Sequence, residues 1–158
     1  MPLALDMIHA PERQLLCFMV AEQLYGLAIE QVRELSLYRA PTRMPHAAPH
    51  VSGVINMRGE PATVIDLGLY LDKSETLITP ETLIIMIEAA NGTLLGLLAD
   101  EVLDLVTVTD QGVAMALQPE QRGLVSAVMA HGRDDLPAMP VNLIDCGHLA
   151  EMIGGRSA

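Results

Sequence analysis

The chain has 158 residues, 51% apolar and 18% charged, with 20 acidic side chains against nine basic ones and a formal net charge of −11 at pH 7. That length suits one domain able to bury roughly 70% of its unfolded surface, and the apolar content excludes a disordered tail. The acidic balance argues against nucleic acid or an anionic membrane as main partner, since both attract clustered Lys and Arg; basic partners or basic patches fit better. Aromatic residues make up 3%, with no Trp and one Phe, so an aliphatic core of Leu, Ile, Val and the ten Met is expected.

The opening MPLALDMIHAPER lacks a basic n-region, and Asp6 breaks its apolar run, so it does not read as a secretory signal. Apolar runs elsewhere reach about six residues, short of the roughly 18 that cross a bilayer. The cytoplasm is the simplest address. Cys17 and Cys146 lie far apart in apolar surroundings and read as buried free thiols.

Strands separated by turn signals follow in chain order. Gln14 to Val20 is mostly apolar; Gln23 to Ala28 returns after a tight Ala21-Glu22 turn. Val32 to Tyr38 alternates, with Val32, Glu34, Ser36 and Tyr38 on one side and Arg33, Leu35 and Leu37 on the other. The proline-broken RAPTRMPHAAPH predicts an irregular loop. Gly53 to Leu67 is the most informative stretch: two strands joined at Arg58-Gly59, with Val54, Asn56 and Arg58 on one face and Ile55 and Met57 on the other. Gly59 supplies the positive φ of a tight hairpin, and Asp66 can cap a following helical turn.

Thr82 to Glu88 is a continuous apolar run suited to a covered strand, and Asn91-Gly92 predicts a hairpin to Thr93–Ala99. Val102 to Val108, Leu124 to Ala130 and Ala138 to Ile144 read as three more strands. Leu149, Met152 and Ile153 then fall on one helical face, stopped by Gly154-Gly155. About ten short strands with turns roughly every 8–12 residues predict an all-β barrel or sandwich arrangement.

Signatures of catalysis are weak. Cys146 and His148 are two apart and do not face each other on a helix, and a Cys/His nucleophile also wants an orienting residue and an oxyanion hole. His46 and His50 sit in the proline-broken loop with no further ligand at metal spacing. No phosphate-binding glycine signature occurs. No catalytic residue, cofactor or metal is expected.

The segments YGLAIEQVRELSLYRAPTRMPHAAPHVSGVINMRGE, VIDL, LLGLLADEVLDLVTV and VNLIDCGHLAEM, in that order, resemble the CheW family of chemotaxis coupling proteins. The resemblance runs from about Gln14 to Ile153. It implies two small five-stranded β-barrel subdomains around a shared aliphatic core, with short helices and a C-terminal helix. Residues 1–13 are then an N-terminal extension and 14–153 one domain. Its first barrel spans about 14–71 plus helix 145–153, its second about 82–144, and a tail covers 154–158.

The function implied is non-catalytic coupling of methyl-accepting chemoreceptors to a CheA-type histidine kinase, in the cytoplasm at membrane-associated arrays. The partners implied are the kinase's regulatory domain and the receptor's cytoplasmic tip, without nucleic acid or membrane insertion. A paralogue serving a non-flagellar pathway, and a small ligand-binding or hydrolytic β domain, are the alternatives. Position by position, the resemblance places partner contacts at Val32 and Arg58, with Asn56 and Glu34 in the same two motifs. Two departures stand out: Thr63 occupies the family's usual strand proline, with Pro61 two residues earlier, and Leu124 to Leu136 lacks a customary aromatic.

Structural readings compete with these roles. Arg58 could pair with Glu60 or Asp66 and merely stiffen the turn, and Val32 could be ordinary core packing. Tyr38 and Met57 suit a core as well as a groove. The acidic run Asp100, Glu101, Asp104 reads either as a solvated face or as a patch for the kinase.

Overall fold

The structure, a computed structural model, describes residues 12–71, 74–88, 92–109, 125–130, 139–146 and 149. Within them the chain forms ten strands: β1 (Glu12–Val20), β2 (Gln23–Ala28), β3 (Val32–Leu37), β4 (Val51–Met57), β5 (Glu60–Ile65), β6 (Leu83–Glu88), β7 (Leu94–Ala99), β8 (Glu101–Thr109), β9 (Val125–Ala130) and β10 (Met139–Ile144). A 3-10 turn (Ile29–Gln31) and a short helix, α1 (Leu67–Tyr70), lie among them, and Cys146 and Leu149 are helical as well. The all-β class with two five-stranded sheets is as expected.

The division of strands between the sheets differs from the expected consecutive halves at 14–71 and 82–144. The first sheet is a closed ring, β1-β2-β10-β9-β8; the second runs β3-β6-β7-β5-β4. The first two strands therefore pair with the last three. Long-range contacts explain the exchange. Tyr25 and Gly26 of β2 pair in parallel with Asn142 and Leu143 of β10, and the Asn142 amide donates to the Leu24 carbonyl at 3.0 Å. The chain leaves the first ring at Ile29–Gln31 and returns at Asp100, whose N–H donates to Met19 O and whose carboxylate accepts from Ala21 N at 3.1 Å.

Alternation on the strands separates three apolar clusters. The largest lies between the sheets, joining Phe18, Tyr25 and Leu27 of the first to Ile65, Ile85, Ile87, Leu95 and Leu97 of the second. The second sheet curls its other face around Ile55, Met57, Ala62, Val64, Ile84, Met86, Leu94 and Leu98. Leu15, Cys17 and Val141 fill a third cluster on the first sheet. The core is aliphatic, as the composition predicts. Both cysteines are buried thiols outside any disulfide, and burial, with Asp145 beside it, pushes the Cys146 thiol up to about 12.

The second sheet carries no ladder between its edge strands β3 and β4. They are drawn together instead by the chain connecting them. Thr42 and Val54 exchange two backbone hydrogen bonds of 2.9 Å, an isolated bridge on the outer side of β4. This close approach requires Gly53: its φ is +144°, and a Cβ there would collide with the Thr42 carbonyl oxygen. Asp66 caps α1 by accepting from Leu69 N, as its position after the strand predicts.

Pro61 sits not on an edge but in β5, between β4 and β7. Across a two-residue hairpin Met57↔Glu60 is the closing pair, so Asn56↔Pro61 is a pair without ladder bonds between its members. The missing N–H faces β7, whose pairing with β5 begins only at Thr63. The Asn91-Gly92 turn falls largely outside the described residues, but Glu88↔Leu94 pairing joins β6 and β7 antiparallel as expected. Of the helix expected at 145–153, Asp145, Cys146 and Leu149 are described. Cys146 and Leu149 are helical and buried, and Leu149 N–H donates to Asp145 O at 3.0 Å, while the other residues of that segment, like most of the N-terminal extension, lie outside the described residues.

Candidate functional site

The β4–β5 hairpin turns through Arg58 (φ 54°) and Gly59 (φ 89°), both left-handed as a two-residue hairpin with strand-like twist demands. Asn56 fixes the turn from below: its side-chain oxygen accepts from Gly59 N at 2.7 Å. Arg58 is thereby held at the tip with its side chain 80% exposed, and its Nε lies 3.2 Å from Glu34 Oε1 on β3. The ion pair thus spans the two edges of the second sheet. Pairing of Arg58 with Glu60 or Asp66 is not what forms: Glu60 takes Arg33 at 3.3 Å, and the Asp66 oxygens are occupied by Thr76 and Leu69.

Two further arginines extend this seam. Arg33 reaches Glu88 at 3.6 Å as well as Glu60, and Arg39 Nη2 donates to the Asn56 carbonyl at 3.0 Å and to Met57 Sδ at 3.7 Å. Sequence reasoning missed both, although Arg33 lies within the very motif that supplied Val32 and Glu34. Four of the chain's nine basic residues, Arg33, Arg39, Arg43 and Arg58, fall between positions 33 and 58. Exposed ion pairs of this type are each worth about 0–1 kcal/mol, so the seam adds little stability while displaying charge.

Glu34, Asn56 and Arg58 come together at this corner; Val32 does not. A bulge at Arg33 shifts the β3 register, so that Val32 pairs with Ile87 and Glu34 with Met86. Ile87 belongs to the shared core and Met86 to the second cluster, which puts Val32 and Glu34 on opposite faces. Val32 is half-buried and packs against the shared core. Beyond the bulge the strand reverses the usual order: Leu35 and Leu37 are 44% and 72% exposed, while Glu34 and Ser36 are half-buried. The alternation had grouped Arg33, Leu35 and Leu37 correctly, but it carries no sign of which side meets water. Met57 is buried, and Tyr38 packs on the second cluster while also lining a cleft of about 290 Å³ with Pro41, Ile78 and Leu98.

No group of three or more His, Cys, Asp or Glu suited to a metal ion occurs among the described residues. His46 is exposed with φ 62°, while His50 sets its ring edge-on to Tyr70 at 4.7 Å. What the corner can do is hold another surface: it offers charge of both signs, an exposed apolar strand and rigid backbone.

Two five-stranded sheets share one aliphatic core, and the second sheet carries this exposed corner. The CheW-like domain model matches residues 14–153, and the chain belongs to that family. It is 36% identical over 109 residues to the chemotaxis protein CheW of Bacillus subtilis, covering 69% of each chain. It is 29% identical over 153 residues to the protein FrzA of Myxococcus xanthus, covering 93% of this chain and 91% of that one. Among solved structures, the scaffolding protein CheW of Thermoanaerobacter tengcongensis superposes with a TM-score of 0.73 at 24% identity, over 85% of this chain and 90% of that one.

Proposed function

We propose that the protein is a non-catalytic adaptor that couples methyl-accepting chemoreceptors to a CheA-type histidine kinase. Its partners are the receptor's cytoplasmic tip and the kinase's regulatory domain, and it is recruited from the cytoplasm to membrane-associated arrays. The observation that carries this reading is the corner where Arg58 and Glu34 join the edges of the second sheet beside exposed Leu35 and Leu37. Exposed apolar residues on an edge strand are a liability that a monomer avoids unless another chain covers them. Arginine is also a favoured anchor once such a surface is desolvated. Glu34, Asn56 and Arg58 are assigned to the partner contact. Val32 lies on the opposite face of β3 and contributes by way of the shared core.

The extended likeness to FrzA, over nearly the whole chain, favours a second reading: service in a pathway other than the flagellar one. Reconstitution tests the coupling itself. Mixing the protein with receptor cytoplasmic fragments and kinase is expected to give a ternary complex that Arg58→Ala weakens. No complex with any kinase and receptor encoded beside it would remove the proposal.

A further inference from the structure

The connector between α1 and β6 carries two consecutive apolar residues in water, Leu77 at 78% exposure and Ile78 at 47%. Slackness does not account for them, because both flanks are pinned. Thr76 is buried, and its N–H and hydroxyl donate to the two oxygens of buried Asp66 at 3.0 and 2.9 Å. On the other side Thr79 N donates to the Thr82 hydroxyl at 2.9 Å, and Thr82 N returns to Thr79 O at 3.1 Å. The buried Asp66 carboxylate thus holds Leu77 out in water, while Ile78 turns toward Tyr38 and Leu98 on the other side of the connector; a pinned, exposed leucine marks a surface suited to another molecule.

Leu77 forms part of the wall of a cleft of about 890 Å³ between this connector and the first sheet. The facing wall is the Ala21-Glu22 turn, held by Asp100, together with Glu101. Among the described residues, every charged side chain lining the cleft is acidic: Glu22, Glu75, Glu81, Asp100 and Glu101. Val32, Glu34, Asn56 and Arg58 are not among the lining residues, so this surface is separate from the corner on the second sheet.

We propose that the cleft docks a basic amphipathic segment of a protein partner, with apolar side chains seated on Leu77 and Lys or Arg facing the acidic wall. Charge complementarity selects this occupant. Nucleic acid and anionic lipid are repelled by such a wall, and a purely ionic ligand would leave the pinned leucine without a role.

The test uses the whole protein and a labelled Leu/Lys amphipathic peptide, with Leu/Glu and Ser/Lys versions as comparators, read by fluorescence anisotropy. The Leu/Lys peptide is expected to bind and the other two not. Leu77→Ser and the double substitution Glu75→Gln/Glu81→Gln should each weaken binding about tenfold while the melting temperature stays put. Raising salt from about 0.1 to about 1 M, which shortens the screening length from about 10 to about 3 Å, should weaken the wild type more than the double variant. Equal binding of the Ser/Lys peptide, or undiminished binding by Leu77→Ser, overturns the proposal. Either result leaves the receptor and kinase reading untouched, since that rests on the Arg58 corner.

Discussion

The two sheets close in different ways. In the first, β8 pairs with both β1 and β9, and β2 with both β1 and β10, so backbone ladders run around the ring. In the second, no ladder joins the edge strands: the connector after β3 bridges β4 through Thr42 and Val54, and the Arg58–Glu34 pair and the Arg39 bond to the Asn56 carbonyl link the two edges. Ladder hydrogen bonds form cooperatively and hide the polar backbone. A few exposed side-chain contacts do neither, and each is worth about 1 kcal/mol or less. The core between the sheets therefore holds the fold, and the loosely joined edge presents the groups that the proposed function assigns to partners.

This contrast can be broken first at the shared core. Leu97→Ala removes a fully buried side chain from the cluster that both sheets line, and a loss of about 2–5 kcal/mol is expected. Denaturant unfolding should show one transition for both sheets; two separate transitions would mean the sheets are held independently. Gly53→Val attacks the seam itself, since any side chain there meets Thr42 and the φ of +144° suits only glycine. A cost of about 1–3 kcal/mol is expected, measured by thermal melting, and a neutral effect would mean the Thr42 bridge does not form.

A pH titration sharpens the comparison further. The Cys146 thiol is raised in the fold from its ordinary value near 9 to about 12, by burial first and Asp145 second. The unfolded thiol ionises from about pH 9 while the folded one keeps its proton. The stabilisation is therefore complete below that pH and is lost as pH rises towards 12. Stability should fall across this window in the wild type and fall less in Cys146→Ala, and the native thiol should resist a thiol reagent at pH 8.

Much of the fold could be read locally. The Arg58-Gly59 hairpin, the Asp66 cap and the bounds of β2 all follow from turn chemistry and short-range alternation. Sheet membership could not be read this way, because β2 meets β10 across more than a hundred residues, and nothing near Tyr25 signals Asn142. The candidate corner was half legible. The hairpin motif points to Asn56 and Arg58, but the bulge at Arg33 that parts Val32 from Glu34 is a property of pairing with β6. Leu35 and Leu37 illustrate the same limit: period two sorts side chains into faces, and only the tertiary packing decides which face is wet.

The most direct measurement pairs thermal melting with receptor–kinase complex formation for Arg58→Ala. The Arg58 side chain is 80% exposed and its ion pair contributes about 0–1 kcal/mol. The melting temperature should therefore barely move, while affinity in the ternary complex falls about tenfold or more. A variant that melts like the wild type and assembles just as tightly would contradict the assignment of this corner to partner binding.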